Sequence, residues 1–205
     1  MSKDHLDDSK KQAIIQAAVE VFAAKGFHQA KMEEIAALAG VGKGTLYAYF
    51  ASKKELFRDM LIEVTDRYLH SFKESLNGSG QCRKLLQLLL TTNVEFFRRH
   101  RNMAAILISD LPPLGEEIRR IFWDKEEECL LSLEQLFQKG QGSGEFRCVN
   151  ARVAARLIIG VLTAQGSQVL FSDDDQGQGM DKEINEIVDL IMNGIALKPE
   201  QGLSR

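Results

Sequence analysis

The chain has little of what would staple a small fold or anchor one in a membrane. Among 205 residues there are three prolines, three cysteines and one tryptophan. Cys82, Cys129 and Cys148 lie far apart, form no CxxC pair and have no histidine at metal-ligand spacing. That excludes a zinc knuckle and a disulfide framework, and it fits reduced thiols in a cytoplasmic protein. No run of roughly 18 apolar residues occurs, so no membrane span is expected. Residues 1–11 are polar and of mixed charge, without the apolar stretch of a secretory signal. No segment alternates with period two over the length of a strand, so no sheet is expected. Serine, histidine, aspartate and cysteine nowhere group in a recognisable catalytic context. No enzyme activity, cofactor or metal is therefore expected.

What remains is helical patterning. Apolar residues make up 44% of the chain, ordinary for a globular protein. A chain of this length buries a core without covalent help. The spacing predicts about nine helices in an all-α fold, at roughly 9–25, 31–39, 43–50, 52–76, 82–99, 101–109, 114–139, 150–171 and 181–197. In the first, Ile14, Ala17, Ala18, Val21 and Phe22 make one apolar stripe. Gly26 is placed to stop it, with Phe27 folding back on Phe22. Ser52-Lys53-Lys54-Glu55 reads as a capping box opening the fourth helix. The net charge is −3, but it is unevenly spread. Residues 1–58 carry nine basic and seven acidic side chains, and the rest carry 17 and 22. A slightly basic head on an acidic body suits local contact with a polyanion.

The informative stretch is residues 35–50. Ala36 and Gly40 let two short helices meet at a tight bend, and Ile35, Val41 and Leu46 supply the wedge that fixes their angle. This is the logic of a helix-turn-helix, whose second helix enters the major groove. The surface of that second helix is chemically apt. Lys43 offers a mobile charge, Gly44 permits close backbone approach, and Thr45 a hydroxyl and a methyl. Tyr47 and Tyr49 offer phenol groups to phosphates or thymine methyls. Two residues apart on a helix, the tyrosines point in different directions, so both cannot be buried together. Lys53, at the next helix start, completes the set. Val41-Gly42-Lys43-Gly44-Thr45 is not a phosphate-cradling loop: glycine follows the lysine and no strand precedes it.

In combination, Gly26-Phe27, Ile35-Ala36, Ala39-Gly40-Val41, Lys43-Gly44-Thr45-Leu46-Tyr47, Tyr49-Phe50 and Ser52-Lys53-Lys54-Glu55-Leu56 resemble the tetracycline-repressor (TetR) family over about residues 9–58. The rest is similar to that family's six-helix sensor domain in helix number and order. The resemblance implies a DNA-binding domain at 1–53, with 1–8 as a tail, and a ligand-sensing, dimerising domain at 54–205. It implies DNA contacts at Lys43, Gly44, Thr45, Tyr47, Tyr49 and Lys53. Where the family often has threonine at the start of the second helix, Ala30 and Lys31 stand here, and a Lys31 charge replaces the hydroxyl; where it has serine before the third, Gly42 stands, a weaker cap.

Elsewhere the sequence leaves two readings open. Phe96, Phe97, Leu107, Phe122 and Trp123 suit an effector pocket or ordinary core. Val153, Leu157, Val161, Ile184, Ile187, Val188, Ile191 and Ile195 suit a dimer interface or core, and the interface is favoured because a palindrome reader needs a two-fold partner. Arg98-Arg99-His100-Arg101 suits an anionic ligand group or a solvated helix end. The expected function is a repressor that binds a palindromic operator as a homodimer and releases it on binding a small hydrophobic or amphipathic effector. Gly26-Phe27-His28-Gln29 and residues 40–50 resemble fatty-acid-responsive members that bind acyl-CoA. An acyl-chain carrier and a helical enzyme are the rivals.

Overall fold

A computed structural model describes residues 3–78, 80–102, 115–171 and 179–195, with the side chains of 3–7, 115, 117, 118, 180 and 195 left aside. The described residues form eight helices and no strand: α1 (Lys3–Gln29), α2 (Met32–Leu38), α3 (Lys43–Tyr49), α4 (Lys53–Leu76), α5 (Cys82–Arg99), α6 (Gly115–Gly142), α7 (Ala151–Phe171) and α8 (Met180–Ile195). The helix expected at 101–109 falls largely outside the described residues. The chain divides into two compact units, 1–67 with 100–124 and 68–99 with 125–205. Helices α4 and α6 contribute to both.

The first unit is built on the stripe of α1. Ile14, Ala17, Ala18, Val21 and Phe22 are all buried, packed with Ile35, Leu46, Phe50, Leu56, Phe57 and Met60. Phe22 meets Phe57 edge-on at 4.9 Å between centroids. Gly26 kinks α1 at φ 70°, ψ 167°, a region open only to glycine. The kink turns Phe27 back to stack on Phe22 at 5.9 Å. On the outer side, Gln12 of α1 donates to Glu63, and Arg67 donates to Gln12 (3.0 Å) and to Glu63.

The bend between α2 and α3 is a Schellman turn. Gly40 sits at φ 67°; its N–H donates to Ala37 O (3.2 Å) and that of Val41 to Ala36 O (3.0 Å). Glycine there avoids the penalty a Cβ meets in the left-handed region. After α3 the capping box forms. Glu55 N donates to Ser52 Oγ (3.1 Å), and Ala51 N, one residue before the cap, donates to Glu55 Oε2 (2.8 Å). The reciprocal bond thus reaches one residue further back than the sequence pattern implies.

In the second unit α5 packs against α7 and α8. The core holds Leu86, Leu133, Phe137, Phe146, Ala155, Ile158, Leu162, Ile184 and Val188. A Cβ added at Gly140 would lie 2.2 Å from Phe146, so glycine lets that ring close over the end of α6. Arg152 of α7 bridges Glu127 (2.6 Å) and Glu134 (3.2 Å) of α6.

Candidate nucleic-acid interface and effector site

Helix α3 turns one side to the core and the other outward. Leu46 is fully buried and the cap residue Phe50 beyond it likewise. Lys43, Gly44 and Tyr47 are exposed, Thr45 and Tyr49 half-buried. Tyr47 is 41% exposed, whereas Tyr49 packs against the first core. The two phenols diverge as residues two apart on a helix must. Gly42 is the N-cap in extended conformation and supplies no side-chain bond; its carbonyl accepts from Leu46 N at 3.0 Å. Lys31, the N-cap of α2, is exposed.

Two of the charges on this surface, Lys43 and Lys53, are already engaged. Lys43 Nζ lies 2.6 Å from Glu33 Oε1 of α2 and 5.9 Å from the Tyr47 ring. The hydrogen bond and charge of Lys43 hold the Glu33 carboxyl below its usual range, and Glu33 raises Lys43 in return. Lys53 Nζ donates to His28 O (3.0 Å) and Ala30 O (2.9 Å) and lies over the Phe27 ring at 4.8 Å. Two of its three protons therefore tie α4 to the end of α1, a structural duty the sequence reading did not foresee.

Of the five residues expected to line an effector pocket, the four that are described divide between the two units. Phe96 and Phe97 stand together in the second unit, each edge-on to Tyr68 at 5.2 and 6.0 Å. Phe96 also lines a small cavity with Tyr68, Phe72, Leu89 and Asn93. Phe122 packs instead against the core of the first unit. Trp123 is 71% exposed, too open for a ring that lines a closed pocket. Leu107 lies outside the described residues. Arg98 and Arg99 are exposed in the last turn of α5, where cations complement the helix dipole.

Within the single chain the expected interface stripe divides between core and surface. Ile184 and Val188 are 2% and 1% exposed. They and the half-buried Ile187 and Ile191 face the chain's own second core, because α8 turns its strongest apolar stripe to α5. Val161 is half-buried against the same core, and the Ile195 side chain lies outside the described set. The large apolar side chains left outward on these two helices are Val153 (54%), Leu157 (64%) and Phe171 (78%) of α7 and Leu190 (74%) of α8. Leu190 was not among the expected residues. Leu157 and Leu190 line a groove of about 390 Å³ with Phe137, Ile158, Val161 and Ile191.

A Schellman-bent helix pair exposing a lysine and a tyrosine, in a chain that continues into an α-helical unit of its own core, defines a helix-turn-helix regulator. Two family models place the chain further. The one described as bacterial regulatory proteins, tetR family, matches residues 14–60, and that for tetracyclin repressor-like C-terminal domains matches 81–165. The chain belongs to the TetR family of transcriptional regulators. It is 26% identical over 187 residues to the fatty acid metabolism regulator protein of Bacillus subtilis, covering 91% of this chain and 95% of that one. The structure of FadR from Bacillus subtilis in complex with stearoyl-CoA matches at a TM-score of 0.74 and 26% identity, over 90% and 98% of the two chains. The fatty acid degradation regulator FadR from Bacillus halodurans matches at a TM-score of 0.76 and 25% identity, over 90% and 95%.

Proposed function

We propose that the protein is a repressor that binds operator DNA as a two-fold dimer and leaves it when a long-chain acyl-CoA enters the second unit. The observation that carries the effector class is similarity along nearly the whole chain to fatty-acid metabolism regulators, sensor helices included, one of which was solved with stearoyl-CoA. The exposed side of α3 supports the DNA side of the reading. Lys43, Gly44, Thr45 and Tyr47 of α3 and Lys31 at the start of α2 are the contact set, with Gly42 and Tyr49 at the edge. Lys53 acts as a charge near the backbone while holding α1. Two such helices read successive major grooves when their centres stand about 34–36 Å apart. The outward side chains Val153, Leu157 and Leu190 form the dimer contact. Acyl-CoA that binds the DNA-incompetent state better shifts the population from the operator, and operator must oppose acyl-CoA equally. A regulator of this kind works in the cytoplasm, beside the chromosome.

The test selects an operator from random duplexes and titrates the complex with stearoyl-CoA, stearate and CoA. Release by stearoyl-CoA, with CoA alone inert, is the expected result. Retention of the operator at saturating acyl-CoA of every chain length would overturn the effector assignment. Failure to retain any duplex at low salt would overturn the regulator reading and leave a carrier.

A further inference from the structure

Four polar side chains are buried among the described residues: Thr65, Ser75, Asn93 and Gln165. The first three are satisfied. Thr65 donates to Leu61 O and Ser75 to Ser71 O, at 2.9 and 2.8 Å. Asn93 Oδ1 accepts from the Tyr68 hydroxyl (2.9 Å), and its Nδ2 donates to Leu162 O (3.1 Å). Gln165 differs. It is 2% exposed, and neither Nε2 nor Oε1 has a hydrogen-bond partner among the described residues. Buried amides are nearly always paired, because desolvation otherwise goes uncompensated.

Its position narrows the explanation. On α7, Gln165 shares the inward side with Leu162 and Val169. One turn back, Asn93 of α5 holds the carbonyl of Leu162. At the next residue, Gly166, an added Cβ would lie 2.7 Å from the Phe97 ring. The orphan amide thus lies in the α5–α7 seam, where Asn93 and Phe97, with Tyr68 beside them, form a polar and aromatic wall. A residue kept only for packing there would be apolar, like Ile158, Leu162 and Val169 along the same side.

We infer that Gln165 is the interior polar anchor of the effector site, pairing its carboxamide with the carbonyl and amide groups at the thioester end of an acyl-CoA. This rests on the acyl-CoA reading above. A carboxamide presents a donor and an acceptor side by side. Its Nε2 can donate to the thioester carbonyl while its Oε1 accepts from the N–H of the nearest secondary amide; that amide alone, being trans, presents N–H and C=O on opposite sides, and a hydrocarbon chain offers neither. The acyl chain then occupies the apolar interior. The anchor selects thioesters by leaving the amide unpaired for ligands that lack the group.

The test compares the full-length protein with Gln165→Met, close in volume, and Gln165→Leu. Three quantities are read: the thermal midpoint without ligand, operator affinity, and the dissociation constants for stearoyl-CoA and stearate. The inference expects both variants to melt at or above the wild-type midpoint, since an unpaired amide has been removed. It expects operator affinity unchanged and stearoyl-CoA binding weaker by about tenfold or more. Midpoints lowered in both variants would show that the amide has a structural partner and overturn the assignment. So would unchanged stearoyl-CoA affinity in both. Stearate bound by wild type as tightly as stearoyl-CoA, and weakened equally by the substitutions, would assign the amide to a carboxyl and overturn the thioester reading. If wild type binds neither ligand, the acyl-CoA function itself fails and takes the anchor with it, a pattern distinct from a wild type that binds and variants that bind as well.

Discussion

Lys43 gives the sharpest test of how α3 meets DNA, because its ammonium is held by Glu33 at 2.6 Å. To neutralise a phosphate it must exchange one oxygen partner for another. Each phosphate neutralised lowers log K by about 0.9 per decade of salt. A two-fold dimer carries two copies, so Lys43→Ala should flatten the slope by about 1.8. Between about 50 and 200 mM salt, wild type should therefore lose about twelvefold more affinity than the variant. Glu33→Gln should act in the opposite sense. It frees Lys43 and removes a carboxylate that would otherwise approach the backbone, so affinity rises while the slope keeps its value. Fluorescence anisotropy with a labelled operator across that salt range reads both. A Lys43→Ala slope equal to wild type, with weakened binding, would assign the residue to base contact and refute the phosphate role. Equal slope and equal affinity would remove Lys43 from the interface.

Four further outcomes follow from the packing. Ser52→Ala removes the oxygen that accepts from Glu55 N and should cost about 1 kcal/mol in urea unfolding; a change within error would mean the cap contributes nothing. Gly166→Ala drives a methyl to within 2.7 Å of Phe97 and should cost about 1–3 kcal/mol, with Phe97→Leu in the same chain recovering much of it; a double variant no better than the single would argue against that clash. Cys148 is exposed while Cys82 and Cys129 are buried, and burial pushes the Cys129 thiol up from 9.0 to about 12. A raised thiol stays protonated and unreactive at pH 8, so a thiol reagent should modify one cysteine in the native protein and three in urea; two fast native thiols would contradict this. Leu157→Asp, on a side chain 64% exposed, should yield a folded monomer by sedimentation with unchanged helicity by circular dichroism, whereas a dimer of normal affinity would place the interface elsewhere.

The head was legible because its determinants are local. A stripe at Ile14, Ala17, Ala18, Val21 and Phe22 has one core to face, and Gly40 has one conformation that closes the turn. Tyr47 and Tyr49 were separable for the same reason: a helix of known pitch fixes the angle between them. The body was less legible because periodicity shows that a side is apolar without showing what covers it. Ile184 and Val188 suit interface or core by their spacing, and in the single chain they are buried. Leu190 lies off that stripe and is 74% exposed. Composition does not distinguish Phe96 beside Tyr68 from Phe122 in the first core. One signal was present and unused. Ala154, Ala155, Ile158, Leu162, Gln165 and Val169 follow helical spacing, and glutamine is the one residue of the series that an apolar seam would not choose.

Helix α7 also shows why the outward apolar residues call for a second copy of the chain. By length and composition Ala151–Phe171 is apolar enough to cross a bilayer. Its inner side is committed to the chain's own core, however, and its backbone carbonyl at Leu162 accepts a side-chain bond from Asn93. Arg152 at its start is held by two carboxylates of α6. These ties join α7 to α5 and α6 within its own unit. The outer side still carries Val153 and Leu157, and Leu190 of α8 borders the same groove. Water is a poor neighbour for side chains more than half exposed and adjacent to one another. In the proposed dimer an isologous contact would place one such patch against its own copy, so a single stripe would supply both halves. The same two-fold axis would set two α3 helices against the two halves of a palindrome, so an outward leucine on α7 and an outward tyrosine on α3 answer to one symmetry.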